Sequence, residues 1–350
     1  MASLSSTGLF LATAASVGNV GFDVAAKRAL GGNSFLHTTL RIRALVALLL
    51  TVVLAGLWFH TSTRSSLSLF RLGFYGLAHE GILPVLLLST GLVTAAILLY
   101  YRSLQVAPLS VTAPLFGLTP VFLLAAGFLI FRQIPTLRLV AGVVCILFGS
   151  ILAHWTPSRR SFTAACSHFL REKGIAPMLG ACVLLSITNL LDRWLVLRLD
   201  VLSYAWLYVV LCALFTWVLV LVVRPAPSLA QSPRGWIALA GFIDTIVLLL
   251  HFASLQYVDA VVTIAIKRSG MLLSVIAGAY FFQERNGRQR LAAAFVVMMG
   301  VLTMYFDLSS WGLALVFGAG AASAVTAFLA ARPKHEPETV PDAVLRPSLP

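Results

Sequence analysis

The chain has 350 residues, 59% of them from the set AVILMFWYC and 11% charged, with a mean hydropathy of +0.95 and a formal net charge of +13. One water-soluble core cannot hide that much apolar surface, and the apolar runs are continuous, which excludes a barrel's period-two alternation. The basic residues stand singly or in pairs between apolar runs, the pattern of topology signals and anionic-lipid contacts, so no nucleic-acid partner is expected.

About 20 apolar residues in a helix cross the hydrocarbon of a bilayer. The first such stretch, 8–30, has no basic residue before it and carries Asn19, Asp23 and Lys27. It therefore reads as a span and not as a cleaved signal. Those three residues are four apart and share a helix face. Further spans are predicted over 44–60, 81–101, 106–131 and 139–155, then over 175–197, 203–223, 236–254, 259–283 and 290–306. A Gly/Ala-rich stretch at 310–331 is a candidate eleventh span, and the proline-bearing tail 332–350 predicts disorder. Loops after odd spans hold 14 Lys and Arg, counting Lys27, Arg28 and Arg290 at the span edges, against 5 after even spans. That bias puts the N-terminus outside and the odd loops in the cytoplasm.

Cys145, Cys166, Cys182 and Cys212 show no CxxC or CxxH spacing, so neither a disulfide framework nor a metal site is expected. Nucleotide loops and hydrolase or zinc-protease motifs are absent from the sequence. The expectation is a non-enzyme without a cofactor, driven by gradients or exchange.

The chain repeats itself. Residues 103–150 align without a gap on 254–301, at an offset of 151. Ser103-Leu104-Gln105 falls on Ser254-Leu255-Gln256, Thr112 on Thr263, Phe131 on Phe282 and Gly149 on Gly300. A second echo, SVGN at 16–19 and SITN at 186–189, marks the start of each half. The reading is an all-α polytopic bundle of about ten spans, with five-helix repeats at 8–155 and 175–306. An odd number of spans per repeat inverts the second against the first, and carriers so built bind substrate near the midplane.

Each half resembles the EamA module of the drug/metabolite transporter superfamily, on Val106-Ala-Pro108, Pro120, Gln133, Gly142 and Gly149 in the first half. In the second it rests on Asp259, Phe282-Gln-Glu284 and Gly300. The resemblance implies a ten-helix bundle that exchanges or exports small metabolites. Ile266-Lys267-Arg268-Ser269 is similar to the lysine–arginine pair that binds substrate phosphate in triose-phosphate translocators. Carried over, Lys267 and Arg268 are an anion clamp. Those translocators have another lysine at the first-half equivalent, where this chain has Phe116, which points to a smaller charge or an apolar part packing on Phe116.

Physical reasoning reaches the same pair. Lys267 lies about 12 Å along its helix from Asp259, near the middle of a core about 30 Å thick. A charge at that depth must face the bundle interior, either a substrate or a partner acid. Arg suits a planar anion and Lys a point contact. Asn189, Asp192 and Arg193 of span six occupy the part that matches Asn19, Asp23 and Lys27 of span one; of these, Asn19, Asn189 and Arg193, with Thr263, complete the expected substrate-binding set. Asp244 and His251 share a face of span eight. They read either as a proton-coupling pair, with Asp23 as another candidate, or with Asp244 as counter-ion to Lys267 or Arg268, the favoured assignment. The expected function is a secondary transporter of a small anionic metabolite, in a bacterial plasma membrane. The alternatives are a flippase for a lipid-linked phosphate and, further off, a membrane enzyme or assembly subunit.

Overall fold

The computed structural model describes residues 6–31, 34–59, 77–78, 80–119, 121–123, 125–126, 137–152, 174–225, 234–258, 260–282 and 287–305. The candidate eleventh span, the tail, Asp259 and the Glu284 turn lie outside them. Among the described residues the chain is helical, with no strand. The helices are α1 (Ser6–Leu30), α2 (Phe35–Trp58), α3 (Ile82–Val106), α4 (Leu109–Phe116), α5 (Leu137–Leu152), α6 (Ile175–Val196), α7 (Val201–Val223), α8 (Arg234–Tyr257), α9 (Ala260–Ser269), α10 (Met271–Phe282) and α11 (Gly287–Tyr305).

Six of them, α1, α2, α3, α6, α7 and α8, are long and apolar enough to cross a bilayer. Their ends follow local chemistry. Asp200 caps α7 by accepting a hydrogen bond from the Ser203 N–H at 2.9 Å, which satisfies an otherwise orphaned donor. Gly174 enters α6 with φ +98°, a conformation that costs glycine least. Large apolar side chains such as Leu48, Val52, Trp217, Leu221 and Phe242 remain exposed on the outer faces, where lipid covers them.

Two predicted boundaries are corrected. Helix α2 begins at Phe35, not at 44, so Arg43 stands two turns inside it instead of in a loop. Hydropathy ends a span at a charge; here the charge is buried and paired, so the helix continues through it. The predicted ninth span is not one helix. It turns at Gly270, between α9 and α10, directly after Lys267-Arg268-Ser269. The fourth span is interrupted close to the matching position: α4 ends at Phe116 and a turn follows at Gly117 and Leu118, which map one or two residues before Gly270.

The packing follows the repeat. Helix α1 lies along α8 and α6 along α3, while α2 packs on α7, α4 on α10 and α5 on α11. A Cβ at Gly149 would stand 2.9 Å from the Ala293 carbonyl and 2.8 Å from Val297; one at Gly300 would stand 2.7 Å from the Gly142 carbonyl and 2.8 Å from Ile146. Subtracting 151 from 293 and 297 gives 142 and 146, so the two contacts are one contact made twice. Each needs a glycine because backbone meets backbone, the small-residue packing of membrane helices. Gly149→Ala and Gly300→Ala are each expected to cost about 1–3 kcal/mol by overpacking, read as a lower unfolding midpoint in detergent. Gly56→Ala, with nothing within 4 Å of the added carbon, is the control that leaves the midpoint unlowered.

Candidate functional site

The interrupted spans leave carbonyls that the first helix of the opposite half satisfies. Ser16 of α1 donates its hydroxyl to the Lys267 carbonyl at 3.1 Å, and Ser186 of α6 shares its hydroxyl proton between the Thr119 carbonyl at 2.9 Å and its own Cys182 carbonyl at 2.7 Å. These serines belong to the SVGN and SITN strings. At Gly270 a side chain would collide with the Ser16 backbone oxygen, at 2.9 Å, so the break is where α1 comes closest.

Between these four elements lies a cavity of about 150 Å³. Its wall includes Asn19 and Asp23 from α1, Asn189 and Asp192 from α6, Asp244 and His251 from α8, and Lys267 from α9. Phe116 lines it as well, stacked on Tyr100 at 5.1 Å between ring centres. Lys267, Phe116, Asn19, Asn189, Asp244, His251 and Asp23, all expected at a site, thus share one space. Arg193 and Thr263 stand outside its wall. Arg193 donates to the Val258 carbonyl at 2.7 Å, and Thr263 is fully buried elsewhere. The backbone of Arg268 closes α9; its side chain lies outside the described residues.

The repeat register maps one wall onto the other. Val93 corresponds to Asp244, Ile97 to Leu248, Tyr100 to His251 and Phe116 to Lys267, each 151 apart and each lining the cavity. At three of these four pairs the first half contributes an apolar or aromatic side chain where the second contributes an ionisable one; Ile97 and Leu248 are apolar in both. The space is amphiphilic by construction.

Each buried carboxylate has its own arrangement. Asp244 pairs with Arg43 of α2 at 2.7 Å, a counter-ion that was not among those expected for it. Lys267 adds a longer-range attraction to the same carboxylate and to Asp192. Asp192 accepts from the Ser89 hydroxyl at 2.6 Å and from the Tyr204 hydroxyl at 2.7 Å, both on Oδ1. Asp23 accepts from the Tyr100 hydroxyl, and from the Ser274 hydroxyl at 3.1 Å.

Arg43 is the residue that sequence reasoning missed. A signal was available upstream of residue 44. The buried side chains Leu36, Thr39, Ile42, Val46 and Leu50 of α2 keep helical spacing straight past the arginine.

A family model for the EamA-like transporter family matches residues 6–155 and 172–306. The chain belongs to that family. Its two matched segments cover both halves, and with the six long apolar helices they make it an integral, multi-pass membrane protein of a transporter family. A comparison with curated proteins gives no match. A solved structure described only as "Crystal structure of protein" superposes with a TM-score of 0.50 at 16% identity. The match covers 94% of this chain and 98% of that one, a likeness of fold alone.

The Arg43–Asp244 pair gives a direct expectation. Removing one partner leaves the other charge buried without compensation, which costs about 3–5 kcal/mol, whereas removing both costs far less. Asp244→Asn or Arg43→Gln alone is therefore expected to lower the unfolding midpoint strongly, and the double variant to recover most of it. Additive losses in the double variant would show that the two side chains are not coupled.

Proposed function

We propose that this EamA-family protein is a secondary carrier of ten spans, in two inverted five-span repeats, that moves a small organic solute by alternating access. The cavity between the halves is its binding site. One observation carries the reading: Lys267 lines that cavity at the end of a helix interrupted within the span. In this reading Lys267, with Arg268 next to it in the chain, holds an anionic group of the solute. Asn19 and Asn189, one from each half, supply orienting hydrogen bonds, and the stacked Phe116–Tyr100 pair packs on an apolar or flat part. Asp23, Asp244 and His251 are where a coupling proton would bind.

A second feature shapes the substrate. Both hydroxyl donors to Asp192 land on Oδ1, which leaves Oδ2 without a hydrogen bond among the described residues. Together with Asp23 it favours a solute that also bears an ammonium group, so that both signs of charge find a partner. A plain anion uses Lys267 alone.

Proteoliposome uptake separates these outcomes. With a panel of small organic anions, each with and without an amine, Lys267→Gln and Arg268→Gln are expected to cut transport at least about tenfold, the size of one charge-assisted hydrogen bond. Folded, inserted variants that carry every solute at the wild-type rate would overturn the anion clamp. Asp192→Asn is expected to weaken only the amine-bearing members; an equal loss for both sets removes the ammonium from the reading.

A further inference from the structure

Two hydrogen bonds made by residues outside the cavity wall are related to one another. Lys27, near the end of α1, donates its ammonium to the Ala107 carbonyl at 3.0 Å. Arg193, near the end of α6, donates its guanidinium to the Val258 carbonyl at 2.7 Å. The two acceptors are 151 residues apart, the register of the repeat. Each lies where the third helix of a half stops and the chain turns back, between α3 and α4 or between α8 and α9.

The donors do not share a register. At the offset of 170 that aligns SVGN with SITN, Lys27 falls on Leu197 and Arg193 falls on Asp23. The same contact is therefore made from different sequence positions. What recurs is a cation on the terminal carbonyl of the third helix. Such carbonyls carry the negative end of the helix dipole and lack intrahelical donors, so a cation suits them.

Each turn is also where the opposite half touches. At the first, Ser103 donates its hydroxyl to the Gly174 carbonyl at 2.7 Å, and a Cβ on Gly174 would stand 2.6 Å from the Ala107 methyl. At the second, Gly8 in the first turns of α1 sits against Val258 and Tyr257, where a Cβ would meet the Tyr257 Cβ at 2.8 Å. Each junction thus joins the end of one half's first helix, the turn after its third, and the start of the other half's first helix. Helices of this length reach about 33–38 Å. The start of α1 lies beside the end of α8 and its end beside the end of α3, so the two junctions are at opposite faces of the bilayer. For the cavity to open to one face, the junction on that face must part. Neither Lys27 nor Arg193 is in the cavity wall, so neither touches the solute there.

We infer that Lys27 and Arg193 are a matched pair of positioning residues, one closing the carrier at each face of the membrane by holding the turn after the third helix of its own half. The inference rests on the alternating-access reading given above. It adds which residues set the balance between the two orientations.

The test follows the side from which the cavity is reached and needs no solute. In full-length protein with the four native cysteines replaced, Val93→Cys places one thiol in the cavity wall. A membrane-impermeant maleimide then labels it from either face of vesicles of known orientation. Lys27→Met is expected to shift the ratio of the two labelling rates by roughly threefold to tenfold toward one face, and Arg193→Met by a similar factor toward the other. Lys27→Arg and Arg193→Lys, which keep a cationic donor, should restore the wild-type ratio. Ser103→Ala loosens the Lys27 junction without touching a charge and should shift the ratio in the same direction as Lys27→Met. Met variants that both keep the wild-type ratio, or both shift it to the same face, overturn the inference; so does a Ser103→Ala shift in the direction of Arg193→Met, or none at all. If the wild-type thiol is reached from one face alone under every imposed gradient, alternating access itself falls. That result is distinct from a thiol reached from both faces with an unmoved ratio.

Discussion

Hydrocarbon offers no water to a carbonyl, so a helix interrupted inside a bilayer must find its hydrogen-bond donors on another helix. The spans holding Phe116 and Lys267 are both interrupted, and both are served from the opposite half, by Ser186 and Ser16. That requirement ties the halves together at the same depth. It brings α1 against α9 and α10, and α6 against α4. It also forces the cavity to lie there, because the turns leave room that straight helices would have filled.

The sequence revealed the scaffold because a duplication reports pairings as well as spans. A gapless offset of 151 relates Gly149 to Gly300, and the structure packs each against the other's neighbours. Hydropathy revealed less at charges. It treats each as a cost, and it began the second span only at 44 because it could not see Asp244 across the bundle from Arg43. It drew the ninth span as one helix for the opposite reason. The interruption at Gly270 comes from the close approach of Ser16, a tertiary fact with no apolar signature. Asn19, Asp23, Asn189, Asp244, His251 and Lys267 were found by one rule, that a polar group in a span faces the interior. That rule says nothing of which interior space a residue meets, and so Arg193 and Thr263 were grouped with the cavity although they lie outside its wall.

Scaffold and site use the duplication differently. The glycine contacts, the serine contacts and the cations on the third-helix carbonyls occur in both halves. Three of the paired positions that face the cavity diverge, with Phe116 against Lys267, Val93 against Asp244 and Tyr100 against His251. The difference has a physical basis. A carrier that turns about a pseudo-twofold axis needs two orientations of comparable stability, which equivalent scaffolding contacts supply. A solute has no such symmetry. One with an apolar part and a charged part is matched by two walls that differ.

The Arg43–Asp244 pair belongs to the divergent set. A buried ion pair is weak evidence for stability, because desolvation offsets much of its attraction. Its position says more than its strength. Arg43 comes from the first half and Asp244 from the second, and both line the cavity. Any relative movement of α2 and α8 must carry the pair along intact or expose two charges to an apolar wall. On the alternating-access proposal, the cost of the second outcome favours movement in which α2 and α8 stay together while the turns at Ala107 and Val258 part. The pair would then mark a part of the interface that holds, and the two junctions the parts that give.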